Sequence, residues 1–589
     1  MTHVKINEMA LLLEILPTEM LFDIFDYLTV FDILRAFINL NKRINDIVGL
    51  YPFVLDFQEI SRSKLDFICR HIQPKQVLSI YLSDEFMPDQ VKIFNLYFPD
   101  FHEQFVGLKK MKFINTSTVL PNLPVTLTSL SIKTYLKTNS TDKFITKILR
   151  QQAQYLTFLK VDGSYVFRSI DTAFPSLKHL TIDYCTITEF HRILLCFRSP
   201  LTELKLFLDR EENLSRINFK QLSNTLIDLR ISFSEDIIMS FALVKDFIED
   251  LAKLKYFTIQ ATGTLDLMDG ELWEEYLFQK DIKKFNFKFT LSNGFLIDYD
   301  EDLLLESFRS SFWLKQQQWY VACEKRTLKS SCPTIYSIPY FQPKLIFYPS
   351  NNFRPVTTAD REVVSKHANN LILTFHKTIP LPSSSFCHVY SLTLLTITLP
   401  SIEILQSIVD LKQIREIDVS LVKNLSIDEF EIFIECMTNL KTIKMEYNPL
   451  FVPPIRINSY TFIRRDEELF IIDENNIKRF CYLFFHVRNL EITVQSKDII
   501  IQLLTRLYYL ERIKIFCYQN SLLNITYNWF KQNIPRFTTV TFTYRVTATC
   551  LFLSIGNEKP VDDETPVKNT TCKILTCGLH KHRSGCQIQ

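Results

Sequence analysis

Glycine is scarce in this 589-residue chain, and its nine glycines lie far apart. The closest pairs, Gly263 with Gly270 and Gly578 with Gly585, are separated by seven positions (270 − 263 and 585 − 578). Phosphate-binding loops and nucleophile elbows need closely spaced glycines where the backbone approaches a ligand or turns sharply. The sequence therefore excludes the standard dinucleotide-binding, P-loop and nucleophile-elbow sites.

Paired cysteines are also missing, because none of the thirteen cysteines forms a CxxC motif. A disulfide framework or a zinc ribbon requires clustered cysteines, so we expect reduced and buried thiols. The C-terminal series Cys572, Cys577, His580, His582 and Cys586 offers metal-binding side chains without the spacing of structural zinc sites. We predict no metal and no cofactor.

The sequence has neither a charge excess nor a long apolar run, the features that would indicate a nucleic-acid or membrane partner. Lys and Arg total 67 against 65 Asp and Glu, a net charge of +2. The most apolar stretch, 389–405, is interrupted by Pro400 and Glu403, and the apolar run near the amino terminus ends at Glu14. We expect an intracellular protein, cytoplasmic or nuclear, that binds neither nucleic acid nor membrane.

The chain is instead rich in residues that build a core. Hydrophobic residues make up 47% of it, including 50 phenylalanines and 24 tyrosines. Its length suggests three or four domains or one long repeat array. Many aromatic and few glycine residues favour half-buried strands joined by long connections rather than by tight hairpins.

Residues 16–48 have the periodicity of three short helices. Pro17 suits the first helical position, and Glu19 lies in the first turn, where the helix dipole favours an anion. Apolar residues then recur at helical spacing in three groups: Leu21, Ile24, Phe25 and Leu28; Ile33, Ala36, Phe37 and Leu40; Ile44, Ile47 and Val48. So short a segment cannot bury these faces alone, so they dock either on the rest of the chain or on a partner.

This segment resembles an F-box, the helical module that binds the Skp-type adaptor of cullin–RING ubiquitin ligases. The resemblance rests on Leu16-Pro17-x-Glu19, the two following helical faces, Asp32-x-Leu34, Asn39 and Asn41-Lys42-Arg43. It covers about a tenth of the chain, and Ile44 stands where many F-boxes have tryptophan. It implies adaptor binding by Leu16, Pro17, Glu19, Leu21, Ile24, Phe25, Leu28, Ile33, Leu34 and Phe37.

The remaining chain repeats the pattern L-x-x-L-x-L, in which L is any large apolar residue. Fourteen copies start at residues 108, 127, 156, 177, 201, 226, 254, 282, 389, 414, 440, 487, 510 and 537. A period of 20–29 residues with this core is typical of leucine-rich repeats. The gap between 440 and 487 equals two periods, so we predict one unrecognised copy there. Residues 241–251 and 427–434 have the periodicity of return helices.

We therefore predict an α/β protein: a three-helix F-box followed by an irregular leucine-rich-repeat solenoid, with parallel strands on the concave face and helices or irregular returns outside. Leu180, Leu204 and Leu229 should neighbour one another in its core. An ordinary α/β domain is the alternative. The predicted boundaries are 1–60 for the F-box, 61–290 and 389–545 for the solenoid halves, 291–388 for an insert or degenerate repeats, and 546–589 for a flexible Cys/His-containing tail.

The variable residue between the second and third L of each copy is enriched in basic residues. Six of the fourteen copies have Lys or Arg there, against 67 of 589 residues in the whole chain. On stacked strands this position points to the concave face. Lys112, Lys160, Lys205 and Arg230 are the predicted target-binding residues, and the target is then acidic or phosphorylated. Alternatively, the lysines only discourage edge pairing and aggregation.

The functional prediction is a non-catalytic substrate-recognition subunit of an SCF-type cullin–RING ubiquitin ligase. The helices would bind the adaptor and, through it, a cullin, while the solenoid would bind a target protein. The alternative is a leucine-rich-repeat interaction scaffold not linked to ubiquitination, in which the amino-terminal helices only cap the repeats. An enzyme is disfavoured by the missing glycine loops and ligand clusters.

Overall fold

Two β-sheets and a group of amino-terminal helices make up the structure, a computed structural model. It describes residues 16–58, 60–85, 87–116, 120, 122–134, 139–163, 173–196, 200–209, 219–292, 300–325, 332–338, 340–341, 344–347, 356–358, 370–374, 386, 388–396, 398–422, 424–445, 457, 459–462, 472, 474, 476–517, 522, 525–547 and 550–558. The predicted Cys/His series at 572–586 lies outside these residues.

The chain enters the first sheet from three helices: α1 (Thr18–Phe25), α2 (Val30–Phe37) and α3 (Lys42–Leu50). The strands of this sheet are β1 (Phe53–Asp56), β2 (Val77–Ser83), β3 (Lys110–Ile114), β4 (Ser129–Lys133), β5 (Phe158–Val161), β6 (His179–Cys185), β7 (Glu203–Leu208), β8 (Asp228–Phe233), β9 (Ile238–Met239), β10 (Tyr256–Gly263), β11 (Lys284–Leu291), β12 (Tyr320–Lys325), β13 (Pro333–Ile338) and β15 (Val356–Thr357). From β1 to β11 they pair in parallel and in chain order, with β9 beside β10. At the far edge, β13, β12 and β15 follow β11 in antiparallel pairing.

The second sheet repeats this arrangement and ends in a hairpin. Its strands are β14 (Lys344–Phe347), β16 (Asn370–Thr374), β17 (Ser391–Leu395), β18 (Glu416–Asp418), β19 (Thr442–Met445), β20 (Ser459–Phe462), β21 (Asn489–Val494), β22 (Arg512–Cys517), β23 (Val540–Val546) and β24 (Cys550–Glu558). Pairing is parallel up to β22, and β24 then pairs antiparallel with both β22 and β23.

Helices lie between many of these strands, so the expected α/β class is confirmed. They are α4 (Arg62–His71), α5 (Gln90–Tyr97), α6 (Phe101–Gln104), α7 (Asn139–Gln152), α8 (Ile187–Cys196), α9 (Phe241–Glu249), α10 (Gly270–Phe278), α11 (Glu301–Glu306), α12 (Ile402–Ile408), α13 (Ile427–Cys436), α14 (Ile477–Leu483), α15 (Lys497–Arg506) and α16 (Tyr527–Asn533). The predicted helices at 241–251 and 427–434 are confirmed as α9 and α13. No helix in the described part of the chain has the length and apolarity needed to cross a bilayer.

The repeated sequence pattern marks the strands closely. Thirteen of the fourteen copies begin two residues before a strand, as Leu177 does before β6. The register sets Leu180 opposite Leu204 and Leu204 opposite Leu229, which confirms the predicted column of buried leucines. The unrecognised copy is β20, paired between β19 and β21. The last copy, at Phe537, precedes β23, which forms the antiparallel edge of the second sheet.

The sheets cross three of the predicted boundaries. The first sheet begins at Phe53, inside the segment predicted as a separate F-box, and the helices share one hydrophobic core with this sheet. Residues 291–388 divide between the sheets, since β12, β13 and β15 join the first and β14 and β16 the second. The predicted tail includes β24, because Leu551, Leu553 and Ile555 alternate into the second core and make these residues a strand.

The two ends of the described chain meet. Helix α4 packs against β23 and β24, and Arg545 Nη2 donates a hydrogen bond of 3.5 Å to the Glu85 carbonyl. Gly556 allows the close approach: a Cβ there would overlap Thr541 Oγ1 and lie 2.9 Å from Arg62 Cγ. The terminal hairpin of the second sheet is thus seated against the start of the first.

Candidate binding surfaces

Side-chain caps fix where the second and third amino-terminal helices begin. Thr29 Oγ1 accepts a hydrogen bond of 3.2 Å from the Asp32 amide at the start of α2. Asn41 Oδ1 accepts one of 2.8 Å from the Ile44 amide at the start of α3. These bonds satisfy amides that the first helical turn leaves without backbone partners. The capping residues Thr29 and Asn41, which lie between the apolar faces, therefore mark where α2 and α3 begin.

Two longer-range hydrogen bonds hold the helices to one another. Arg43 Nη2 donates to the Leu16 carbonyl at 2.6 Å, which ties α3 to the residue just before α1. Tyr51 donates through its hydroxyl to Asp26 Oδ1 at 2.6 Å. Burial, with Asp26 as the second cause, raises the pKa of Tyr51 to about 12. The segment that resembles an F-box is thus held together by hydrogen bonds between residues far apart in its sequence.

The residues predicted to bind the adaptor divide into two groups. Buried in the core are Leu21, Phe25, Ile33, Leu34 and Phe37. Exposed or half-buried are Leu16, Pro17, Glu19, Ile24 and Leu28. Only the second group can contact another molecule without rearrangement of the helices. The first group gives the helices their shape and fixes them to the chain.

Aromatic contacts show where the buried faces dock. The Phe25 ring lies 5.0 Å from Phe37 and 5.3 Å from Tyr51, both in edge-to-face geometry. Phe31 of α2 makes a similar contact with Phe67 of α4 at 5.4 Å. Of the two docking alternatives, the rest of the chain takes the buried faces.

A second set of apolar side chains, on these helices and on the short connections between them, remains exposed. It comprises Met20, Tyr27, Leu28, Leu40 and Leu50, of which Tyr27 is 91% and Leu50 72% exposed. Of these, only Leu28 is among the residues implied by the resemblance. Met20, Tyr27 and Leu50 lie off the apolar stripes of the sequence pattern, and core packing does not require them, which was the missed signal; Leu40 lies on its stripe but is exposed. We call these five residues the exposed apolar set.

The variable repeat position forms one continuous row across each sheet. In the first sheet, each strand-pairing register places these residues directly opposite the next: Tyr81, Lys112, Ser131, Lys160, Thr181, Lys205, Arg230, Thr258 and Asn286. In the second sheet the row is Ile372, Thr393, Asp418, Lys444, Thr461, Glu491 and Lys514. Apart from Asn286, which is itself buried, these residues alternate with buried ones along each strand, so they share the face opposite the core.

The four predicted target-binding cations differ in their surroundings. Lys112 donates to Gln58 Oε1 at 3.2 Å, and Lys160 pairs with Asp183 at 3.2 Å. Arg230 pairs with Asp228 at 2.7 Å, and this hydrogen bond raises the pKa of the guanidinium. Lys205 is exposed, and within the described residues its ammonium has no ion pair. All four cations therefore lie in one row, but only Lys205 and Arg230 are on adjacent strands, and Lys160 and Arg230 each have an acidic partner.

An open cavity of about 440 Å³ lies at one end of the first row. Side chains of β7, β8, β10 and β11 line it, among them Arg230 and Lys284. Tyr340, from the residues that join the two sheets, adds a wall. Sequence reasoning found Arg230 by its repeat position. It missed Lys284, which lies two residues before the row residue Asn286 in β11, and Tyr340, which belongs to no repeat.

The described residues contain no cluster of three His, Cys, Asp or Glu side chains suited to a metal ion. Comparison of the chain with protein-family models and with curated proteins gave no match.

Proposed function

We propose that this chain is the substrate-recognition subunit of an SCF-type cullin–RING ubiquitin ligase. Its helices α1–α3 bind a Skp-type adaptor and, through it, a cullin. The observation that carries the proposal is the exposed apolar set, which lies within a short helical segment whose other apolar side chains are already buried in the chain. Exposed apolar side chains that gather on one small unit mark an interaction site.

The target-binding part is, in this proposal, an irregular leucine-rich-repeat solenoid. Strands pair in parallel and in chain order, and β6, β7 and β8 begin at residues 179, 203 and 228. One strand per repeat, each touching only its neighbours, is the architecture of such repeats. The polar rows then lie on the concave face, and the helices form the outer returns.

The proposed mechanism is proximity rather than chemistry. The chain holds a target beside a ubiquitin-charged enzyme and so raises the effective concentration of the two reactants. It needs no catalytic residue and no cofactor of its own. Such a subunit works in the cytoplasm, in the nucleus, or in both.

The proposed target is acidic or phosphorylated and docks on the row of the first sheet. Lys205 supports this proposal because it is exposed and stands directly opposite Arg230. Adjacent strands lie about 4.8 Å apart, within one Debye length of about 8 Å at physiological salt. Neighbouring cations of the row therefore act on the same bound anion.

Adaptor binding by the full chain tests the proposal. Replacing Pro17 and Leu28 together by Ala removes two exposed residues of the resemblance. This variant should lose about 2–4 kcal/mol of affinity for a purified Skp-type adaptor, a 30- to 1000-fold weakening by titration. Leu265→Ala with Leu303→Ala is the matched control, because both leucines are exposed on the first sheet's connections.

If the parent chain does not bind the adaptor, or if both double variants bind it as the parent does, the ligase role is wrong. A folded chain that fails this test is better explained as an interaction scaffold. The helices α1–α3 would then serve as the cap of the first strand, a role supported by their shared core with the first sheet.

A further inference from the structure

The cavity of the first sheet has a polarised lining. The register sets Glu203 beside Asp228, Asp228 beside Tyr256, and Tyr256 beside Lys284. Three strand spacings of about 4.8 Å separate the first from the last. The lining thus runs from carboxylates on β7 and β8 to an ammonium on β11.

Most of these charges already have a partner. Both Nε and Nη2 of Arg230 bind the Asp228 carboxylate, an arrangement that leaves Nη1 out of the pair. Glu203 Oε2 lies 2.9 Å from His179 Nδ1. Lys284 is the exception: within the described residues it has no acidic partner, and its Nζ lies 5.9 Å from the centre of the Tyr340 ring. One cation is therefore available to one added negative charge.

Two tyrosines flank this cation with unusually open rings. Tyr256 is 44% exposed and Tyr340 is 41% exposed, although both line the cavity. Exposed tyrosines beside a cation are typical anchors for a protein ligand, because the ring packs on apolar groups while the hydroxyl stays hydrated. An open cavity of this size accommodates a few side chains of an extended segment.

We infer that this cavity binds an extended peptide segment of the target that presents a single carboxylate beside an apolar side chain. The carboxylate lies between Lys284 Nζ and Arg230 Nη1, and the apolar neighbour packs on Tyr256 and Tyr340. Asp228 and Glu203 disfavour a ligand with two negative charges, because like charges at this short range repel each other. The assignment narrows the proposed target class from acidic or phosphorylated to carboxylate-bearing, and it rests on the proposed role as a target receptor.

Short synthetic peptides test the assignment with the full chain. The probes share one sequence and differ at a central residue that precedes leucine: Glu, phosphoserine, Gln or Lys. The Glu peptide should bind at least about tenfold more tightly than the Gln peptide, the gain expected from charge-assisted hydrogen bonds. Lys284→Glu should abolish this preference and favour the Lys peptide. Lys283→Glu is the matched control, because Lys283 is adjacent, exposed and paired with Asp281 outside the cavity lining.

Equal binding of the Glu and Gln peptides overturns the inference, as does a tighter phosphoserine peptide or the same effect from both lysine variants. Tyr340→Ala provides a second measurement: it should lower affinity for Glu-Leu more than for Glu-Ser, since it removes the apolar contact. Adaptor titration of the same preparations separates the two proposals. A parent chain that binds the adaptor but does not prefer the Glu peptide refutes only the cavity assignment. A parent chain that prefers the Glu peptide but does not bind the adaptor refutes only the ligase role.

Discussion

The two sheets share one backbone plan and differ in the side chains at one repeated position. In the first sheet, Lys160, Lys205 and Arg230 occur in the row with no acidic residue among them. In the second sheet Asp418 and Glu491 stand in the same row, and Glu491 binds Lys514 at 2.6 Å. Buried apolar residues fix the strands in both, so the row can change without cost to the fold. Fold and the proposed recognition are therefore carried by alternate residues of the same strands.

The sheets also end differently. The first begins beside helices α1–α3, with which it shares a core, and the second ends in the hairpin β23–β24. Their main hydrophobic clusters are separate, yet α4 contacts the hairpin directly. Each sheet should therefore respond to damage in its own core, while damage at the contact should affect both ends of the chain.

The largest effect should come from a core substitution that affects one sheet only. Trp273→Ala removes a fully buried ring that lies 4.7 Å from Phe285 and donates to the Leu267 carbonyl at 3.0 Å. We expect a loss of about 3–5 kcal/mol in the free energy of unfolding. Hydrogen exchange should show lost protection in β8–β11 and unchanged protection in β19–β22.

The corresponding core substitution in the second sheet is Phe484→Ala, because that ring is fully buried in the second core, 4.7 Å from Phe480. It should lower protection in β19–β22 and spare the first sheet. Tyr482→Ala, at a residue that is 80% exposed, should change stability by less than about 0.5 kcal/mol. Equal loss of protection in both sheets from either core variant would mean that the chain unfolds as one unit.

The next effect should come from the contact between the chain ends. Gly556→Ala places a methyl group against Thr541 and Arg62 and should cost about 1–3 kcal/mol, because backbone must shift to admit it. Hydrogen exchange should rise in α4 as well as in the hairpin. Gly49→Ala is the control: its nearest atom would be 3.9 Å away, and alanine favours the helix by about 0.5–1 kcal/mol. Unchanged exchange in α4 would show that the contact between the chain ends does not stabilise α4.

Sequence alone predicted the strands well because their signal is local. An apolar residue at every second position recurs in copies that mostly start 19–29 residues apart, and thirteen copies each preceded a strand by two residues. It could not predict that Gly556 meets Arg62, because nothing near either residue encodes a contact across most of the chain. The same limit explains the site: Arg230 follows the repeat, whereas Tyr340 reaches the cavity only through tertiary folding.

A smaller effect is expected within the helices. Because burial and Asp26 raise the pKa of Tyr51 from 10.0 to about 12, the unfolded chain loses this proton first as the pH rises. Stability from this group is complete below pH 10.0 and should fall between pH 10.0 and about 12. Tyr51→Phe should remove that slope and cost about 1 kcal/mol near neutral pH through the lost hydrogen bond. Tyr27→Phe, at a ring 91% exposed, should retain the parent's pH profile in denaturant titrations.

The smallest effect on stability, and the sharpest test of the comparison, comes from two lysines at the same repeat position. Lys205 and Lys444 are both exposed and, among the described residues, unpaired, so replacing either by Ser should change the free energy of unfolding by less than about 0.5 kcal/mol. Their neighbours differ: Thr181 and Arg230 flank Lys205, while Asp418 and Thr461 flank Lys444. Only the first sheet then offers adjacent cations to an anion. Retention on immobilised poly-glutamate across a salt series should fall for Lys205→Ser and hardly change for Lys444→Ser. Equal retention of the two variants would reduce the basic row to a device for solubility.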